Sequence, residues 1–69
     1  MDRNYELTTD IDGVGYYGDE QFPVSFKKGK VLSGVRFNYG TNPPMLAFED
    51  DFFGMPCVVV ICTHEYLPI

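Results

Sequence analysis

The amino-acid sequence predicts an all-β fold, arranged as a small five-stranded curled sheet or barrel with at most one short helical turn. Several short segments alternate apolar and polar residues with the period of two that is typical of half-buried strands. Turns rich in glycine and proline separate them at the spacing of a small barrel. Residues 57–61 are five apolar β-formers in a row, so we expect residues 55–63 to form a central strand buried on both faces.

The chain has 69 residues, which is room for one small β domain spanning residues 1–69. A hydrophobic content of 45% is enough for a core and argues against disorder. The polar start at residues 1–4 predicts no signal peptide, and no segment approaches the roughly 20 apolar residues of a membrane helix. Cys57 and Cys62 would lie about 16 Å apart on one strand, too far for a disulfide, and two free thiols fit a cytoplasmic protein.

The formal charge is −5, and it is unevenly distributed. Residues 23–44 contain four basic side chains and no acid, whereas the segments on either side are acidic. A net acidic surface disfavours binding to nucleic acid or to an anionic membrane. We therefore expect the basic side chains to meet acidic ones within the fold; they are Lys27, Lys28, Lys30 and Arg36.

The first half of the chain predicts two strands around a loop. Residues 5–11 alternate as a half-buried strand. Residues 12–21 hold three glycines and three acids, which predicts a mobile, exposed loop. Residues 22–26 alternate again, and Pro23 places this strand at a sheet edge because proline cannot donate to a ladder. Residues 27–30 then form a hairpin turn in which Gly29 supplies a positive φ.

The second half predicts three more strands. Residues 31–39 form the longest amphipathic strand, with a bend or bulge at Gly34. A stiff Gly/Pro turn leads to a strand at 45–49, and residues 50–54 fit one helical turn with Asp50 as the N-cap. After the central strand, we expect residues 64–69 to form a short turn or a terminal strand.

Residues 22–32 (Phe-Pro-Val-Ser-Phe-Lys-Lys-Gly-Lys-Val-Leu) resemble the second-strand signature of SH3 domains. Residues 16–20 are similar to the acidic, aromatic loop that precedes it in that family, and residues 65–68 resemble the family's closing Asn-Tyr-Val. The resemblance implies an SH3-like barrel. It does not imply binding of proline-rich peptides, because the chain lacks the family's pair of tryptophans.

No motif predicts catalysis, a metal site or a cofactor. The soft-metal ligands are Cys57, Cys62 and His64, and strand parity turns Cys57 away from the other two. A Cys62–His64 nucleophile and base would lack an orienting third group. Residues 10–21 place Val14 and Gln21 where a calcium loop needs ligands, and the G-x-G-x-x-G string at 13–18 lacks the following helix and the βαβ unit of a dinucleotide site.

Exposed aromatic residues beside acids are the best functional indication. Rigid tyrosines on an adaptable Gly/Asp loop resemble protein-binding surfaces, although the same rings would also serve to cover a small core. We expect the loop at 12–20 and the turn at 49–53 to form a contact surface. Its candidate residues are Tyr16, Tyr17, Asp19, Glu20, Asp50, Asp51, Phe52 and Phe53.

The sequence thus predicts a non-enzymatic protein-binding module, an inhibitor or adaptor that docks on a larger protein with a basic surface. By analogy, phage-type anti-defence proteins act in this way. The alternative is a nucleic-acid-binding small β-barrel that uses the basic hairpin 27–36, with Phe37 or Tyr39 as stacking platforms. Self-association is a third possibility, because Pro23 protects only one edge of the sheet.

Overall fold

The computed structural model describes residues 4–69, which form two antiparallel sheets. The predicted all-β class is confirmed, and the described residues contain no helix. Asp2 and Arg3, which were counted in the charge distribution, and the start of the polar N-terminus lie outside the described residues. The strands are β1 (Asn4–Leu7), β2 (Ile11–Tyr17), β3 (Glu20–Phe26), β4 (Val31–Ser33), β5 (Arg36–Asn38), β6 (Met45–Phe52), β7 (Met55–Cys62) and β8 (Tyr66–Pro68).

The larger sheet has five strands in the order β3-β2-β7-β6-β5, and the smaller has three in the order β4-β1-β8. The sheets do not close into a barrel, so the SH3-like barrel implied by residues 22–32 is not the architecture of the chain. The terminal strand β8 pairs with β1, as the sequence allowed. The edge position predicted from Pro23 is confirmed, because β3 pairs with β2 alone.

Strand β7 is the centre of the larger sheet, as predicted, and pairs with β2 on one side and β6 on the other. Its inner side chains belong to a core that both sheets build. The buried cluster contains Leu7, Val24, Phe26, Leu32, Leu46, Phe48, Val59 and Ile61. Burial on both faces was a wrong expectation, however: Val58 is 39% exposed on the opposite face, Cys62 is exposed and Cys57 is buried.

The segment expected to be a mobile loop is a hairpin made by β2 and β3. Two of its three glycines, Gly13 and Gly15, serve close packing rather than flexibility. A Cβ on Gly13 would collide with Ile61 and lie 2.7 Å from the carbonyl oxygen of Val60, and a Cβ on Gly15 would collide with the ring of Phe22. The loop prediction failed because a strand can hold glycine where another element approaches closely.

The helical turn expected at residues 50–54 is also absent. Residues 50–52 continue β6 in register with β7, ending at the pair Phe52–Met55. The two residues between them, Phe53 and Gly54, have φ of 55° and 75°, which are the backbone angles of a two-residue type I′ hairpin turn.

The long strand expected at 31–39 is split at Gly34, whose φ is 64°. The predicted bend is confirmed, and it exchanges the faces: Leu32 is buried before it, whereas Val35 and Phe37 pack inward after it. The predicted turn at Gly29 has φ 94°, but it is not a hairpin turn, since β3 and β4 belong to different sheets. Residues 27–36 therefore do not form the predicted basic hairpin; they pass from the larger sheet to β4 of the smaller sheet and back.

Candidate functional site

Two hairpin turns lie at the same end of the larger sheet. Strand β2 is antiparallel to β7 and pairs with it from Val14–Val60 to Tyr16–Val58. The C-terminal end of β2 therefore lies beside the N-terminal end of β7. The β2–β3 turn and the β6–β7 turn are therefore neighbours. We call residues 17–20 and 51–54 together the hairpin-tip surface; it joins the two segments from which the sequence predicted a contact surface.

Phe53 is the most exposed large apolar side chain of the described residues, at 84%. It also has φ of 55°, a left-handed conformation that non-glycine residues rarely adopt. Type I′ turns favour Asn-Gly, in which asparagine tolerates this backbone at little cost. A phenylalanine here costs stability through its backbone conformation, and such outliers concentrate at functional sites.

The ring of Phe53 is supported from beneath by Phe22, whose centroid lies 5.9 Å away at an interplanar angle of 67°. Phe22 also contacts Phe52 at 5.6 Å, and it lies over its cross-strand partner Gly15. Phe52 in turn packs on Phe26 in the core. Of the two adjacent phenylalanines, Phe52 covers the core and Phe53 projects into solvent from a rigid aromatic base.

The acids of the hairpin-tip surface are Asp19, Glu20 and Asp51, and all three are exposed. None of them forms an ion pair with any basic residue in the part of the chain that the structure describes. Asp50 differs: its carboxylate lies 2.9 Å from the Lys30 ammonium and accepts the Asp51 N–H at 2.9 Å. Asp50 thus stabilises the fold, while the other three carboxylates leave a negative surface around Phe53.

The two tyrosines lie on different faces of β2. Tyr17 is at the strand end opposite Glu20 and is 44% exposed, so its ring belongs to the hairpin-tip surface. Tyr16 lies on the outer face of the sheet, opposite Val58 and Gln21, and is half-buried. The sequence grouped the two by adjacency, but strand parity separates them.

Two of the four basic side chains, those of Lys27 and Lys30, form ion pairs with acids within the fold, so the expectation holds for half of them. Lys27 lies 3.8 Å from Asp10, whose other oxygen accepts the Lys28 N–H at 2.8 Å. Lys30 pairs with Asp50 and lies 5.6 Å from the centre of the Phe26 ring. The side chains of Lys28 and Arg36 form no ion pair among residues 4–69, and Arg36 is exposed on the outer face of β5.

A second aromatic cluster lies at the junction of the two sheets. Phe37 contacts Tyr5 at 5.1 Å and Tyr66 at 5.5 Å, and Tyr39 stacks on it at 5.5 Å and 8°. Burial raises the pKa of Tyr66 above its usual 10.0, and the neighbouring Tyr39 and Tyr5 phenols raise this pKa further.

The two cysteines do not lie together in the fold. Cys57 and Cys62 are both free, on opposite faces of β7, and His64 bonds Asn42 with 2.9 Å between Nε2 and Oδ1. Within residues 4–69 no group of three or more metal-ligating side chains comes together. No helix in that range is long and apolar enough to cross a membrane.

A comparison with protein-family models found no match for the chain, and comparisons with curated proteins and with solved structures found none either.

Sequence reasoning missed two parts of the surface. The first is Phe22, whose ring supports Phe53. The alternating pattern of residues 22–26 predicts an edge strand but not this contact. The outer face of the larger sheet was also missed, because β7 was expected to be buried on both sides. Glu49 and Asp51, two acids at alternate positions of β6, were the available signal for that face.

Proposed function

We propose that the protein is a non-enzymatic binding module whose hairpin-tip surface docks on a larger protein with a basic surface. The observation that carries this proposal is Phe53, an exposed aromatic ring held at positive φ on a base of packed phenylalanines. A rigid aromatic ring loses little conformational freedom on binding, which is why such residues dominate interface energetics.

The charge around Phe53 determines the class of partner. Asp19, Glu20 and Asp51 are exposed on the same two hairpins as Phe53, and the chain as a whole carries −5. A partner with lysines or arginines around an apolar pocket complements this surface, and opposite charges speed the encounter. An inhibitor or adaptor of a larger basic protein in a reducing, cytoplasmic compartment fits these features, and phage-type anti-defence proteins are one such class.

An affinity experiment tests the charge requirement. The full chain is immobilised to capture a partner from a lysate of its source cells, beside a variant with Asp19→Asn, Glu20→Gln and Asp51→Asn. We expect the partner to be retained at low salt and lost in the variant. The control changes the same charge elsewhere, with Glu6→Gln, Asp10→Asn and Glu65→Gln, and should retain it. Equal loss in both variants would show attraction by net charge alone and contradict the proposal.

The alternative function is nucleic-acid binding, which one observation favours: Tyr39 is 73% exposed and stacked on Phe37, as a base-stacking platform would be. Two further observations oppose it. Lys27 and Lys30 are paired with acids, and Arg36 lies on the opposite face of β5 from Phe37. We expect no binding of a single-stranded oligonucleotide at low salt, measured by fluorescence anisotropy; salt-dependent binding lost in Tyr39→Ser would favour the alternative.

A further inference from the structure

The larger sheet has one face on the core and one face open, and the open face is apolar at its centre. Alternation places Val58 and Val60 of β7 on this outer face, beside Val14 and Tyr16 of β2 and Ala47 of β6. A sheet with one solvated face normally carries polar residues there. Here the outer face of the central strand has no charged residue, although Pro56, Val58 and Cys62 are exposed there and Val60 is half-buried.

The charges lie around this apolar centre. Glu49 and Asp51 flank it on β6 at the end where β7 begins, opposite Val58 and Pro56. Asp12 flanks it on β2, two residues before Val14 and so towards the other end. Ion pairs between described side chains use Asp10 and Asp50 and none of these three carboxylates. Among residues 4–69, the one basic residue that the strand register places on this face is Arg36, beyond Ala47 on the edge strand.

The dimensions of the apolar centre match an α-helix. From β2 across β7 to β6 is two strand spacings, about 10 Å, which is close to the diameter of a helix with its side chains. Residues 56–62 extend about 20 Å along β7, the length of about 13 helical residues. A helix packed on a sheet face is also a standard way to cover one.

A second copy of the chain is a poorer occupant. Face-to-face pairing would bring three carboxylates and one guanidinium from each copy into the same interface, with an excess of negative charge in a desolvated space. We therefore propose that the outer face of the larger sheet binds an amphipathic helix with an apolar stripe flanked by lysine or arginine. This inference goes beyond the hairpin-tip proposal, since it concerns the outer face of the sheet, which shares Asp51 alone with the hairpin-tip surface.

The test uses a defined probe, a peptide of leucine and lysine about 15 residues long, with the leucines at helical spacing. It is titrated into the ¹⁵N-labelled full chain, and amide shifts and Kd are measured. We expect shifts centred on Val14, Val58 and Val60. A peptide with the lysines replaced by glutamate, and one of the same composition rearranged to remove the apolar stripe, should not bind.

Paired variants distinguish recognition from charge attraction. Val58→Thr with Val60→Thr keeps the shape and β-propensity of each residue and should weaken binding about tenfold. Val31→Thr is the control, because Val31 is 45% exposed, like Val58, but lies on the smaller sheet. Core amide shifts verify that each variant is folded.

Unchanged affinity in the paired threonine variant would mean charge attraction only and would overturn the inference. Shifts confined to the hairpin-tip surface would overturn it too, as would binding that Phe53→Asn abolishes. The hairpin-tip proposal can fail separately, because Phe53→Asn removes its aromatic anchor and leaves the outer face intact.

Discussion

The ring of Phe22 lies over Gly15, its cross-strand partner, so closely that a methyl group on residue 15 would collide with it. This contact fixes the ring that supports Phe53. The glycine-rich segment is thus part of the rigid base of the hairpin-tip surface.

Gly15→Ala should lower the free energy of unfolding by about 2 kcal/mol, because the added methyl displaces Phe22 from its contacts with Phe52 and Phe53. Chemical denaturation measures the change. In a Phe22→Ala background the same substitution should cost much less, since the ring is gone. Gly18→Ala is the control for backbone strain: a Cβ there meets nothing, φ is 58°, and the cost should be about 1 kcal/mol. Equal costs of Gly15→Ala in the two backgrounds would contradict the contact.

The Lys30–Asp50 pair should contribute to stability while the Lys27–Asp10 pair should not. Lys30 is about one-third exposed, its ammonium is 2.9 Å from the carboxylate, and it lies over the Phe26 ring. Lys30→Ala should therefore cost about 1 kcal/mol. Lys27 is 89% exposed at 3.8 Å, so Lys27→Ala should change stability by less than about 0.5 kcal/mol. The same denaturation experiment in 1 M salt should reduce the Lys30 effect; equal effects of both variants would count against this assignment.

Tyr66 should make the protein less stable in alkaline solution. Its pKa is raised in the folded state, by burial and by the Tyr39 and Tyr5 phenols. Above pH 10 the unfolded chain therefore binds fewer protons than the folded one at this residue, so stability falls as pH rises until the folded phenol has also ionised. Unfolding measured between pH 9 and 11 should show this decline, and Tyr66→Phe should reduce it. An unchanged slope in Tyr66→Phe would assign the decline to other groups.

Strand positions were predictable where an apolar run or a proline was decisive, whereas the strands predicted from alternation at 5–11 and 31–39 are each interrupted. The apolar run at 57–61 identified β7, and Pro23 placed β3 at an edge. The failures come from long-range contacts that one segment does not encode. Gly13 and Gly15 looked like a loop because their packing partners, Ile61 and Phe22, are elsewhere in the chain.

The candidate site was predictable in part. The sequence grouped two acidic, aromatic segments, and the strand register brings their turns to one end of the sheet. It did not distinguish Phe53, which is exposed, from Phe52, which packs on the core, because that difference depends on where β6 ends. It also counted Asp50 among the contact residues, although the Asp50 carboxylate forms an ion pair with Lys30, in the segment between β3 and β4.

The most direct test of the proposed function is Phe53→Asn, measured for both stability and binding. Asparagine suits the φ of 55° in a type I′ turn, so the free energy of unfolding should stay the same or rise by up to about 1 kcal/mol. Affinity for the captured basic partner should fall at least about tenfold, because the aromatic anchor is gone. Tyr39→Asn, which removes another highly exposed ring far from the turns, should leave affinity unchanged. If Phe53→Asn binds the partner as tightly as the unaltered chain, the hairpin-tip surface is not the binding site.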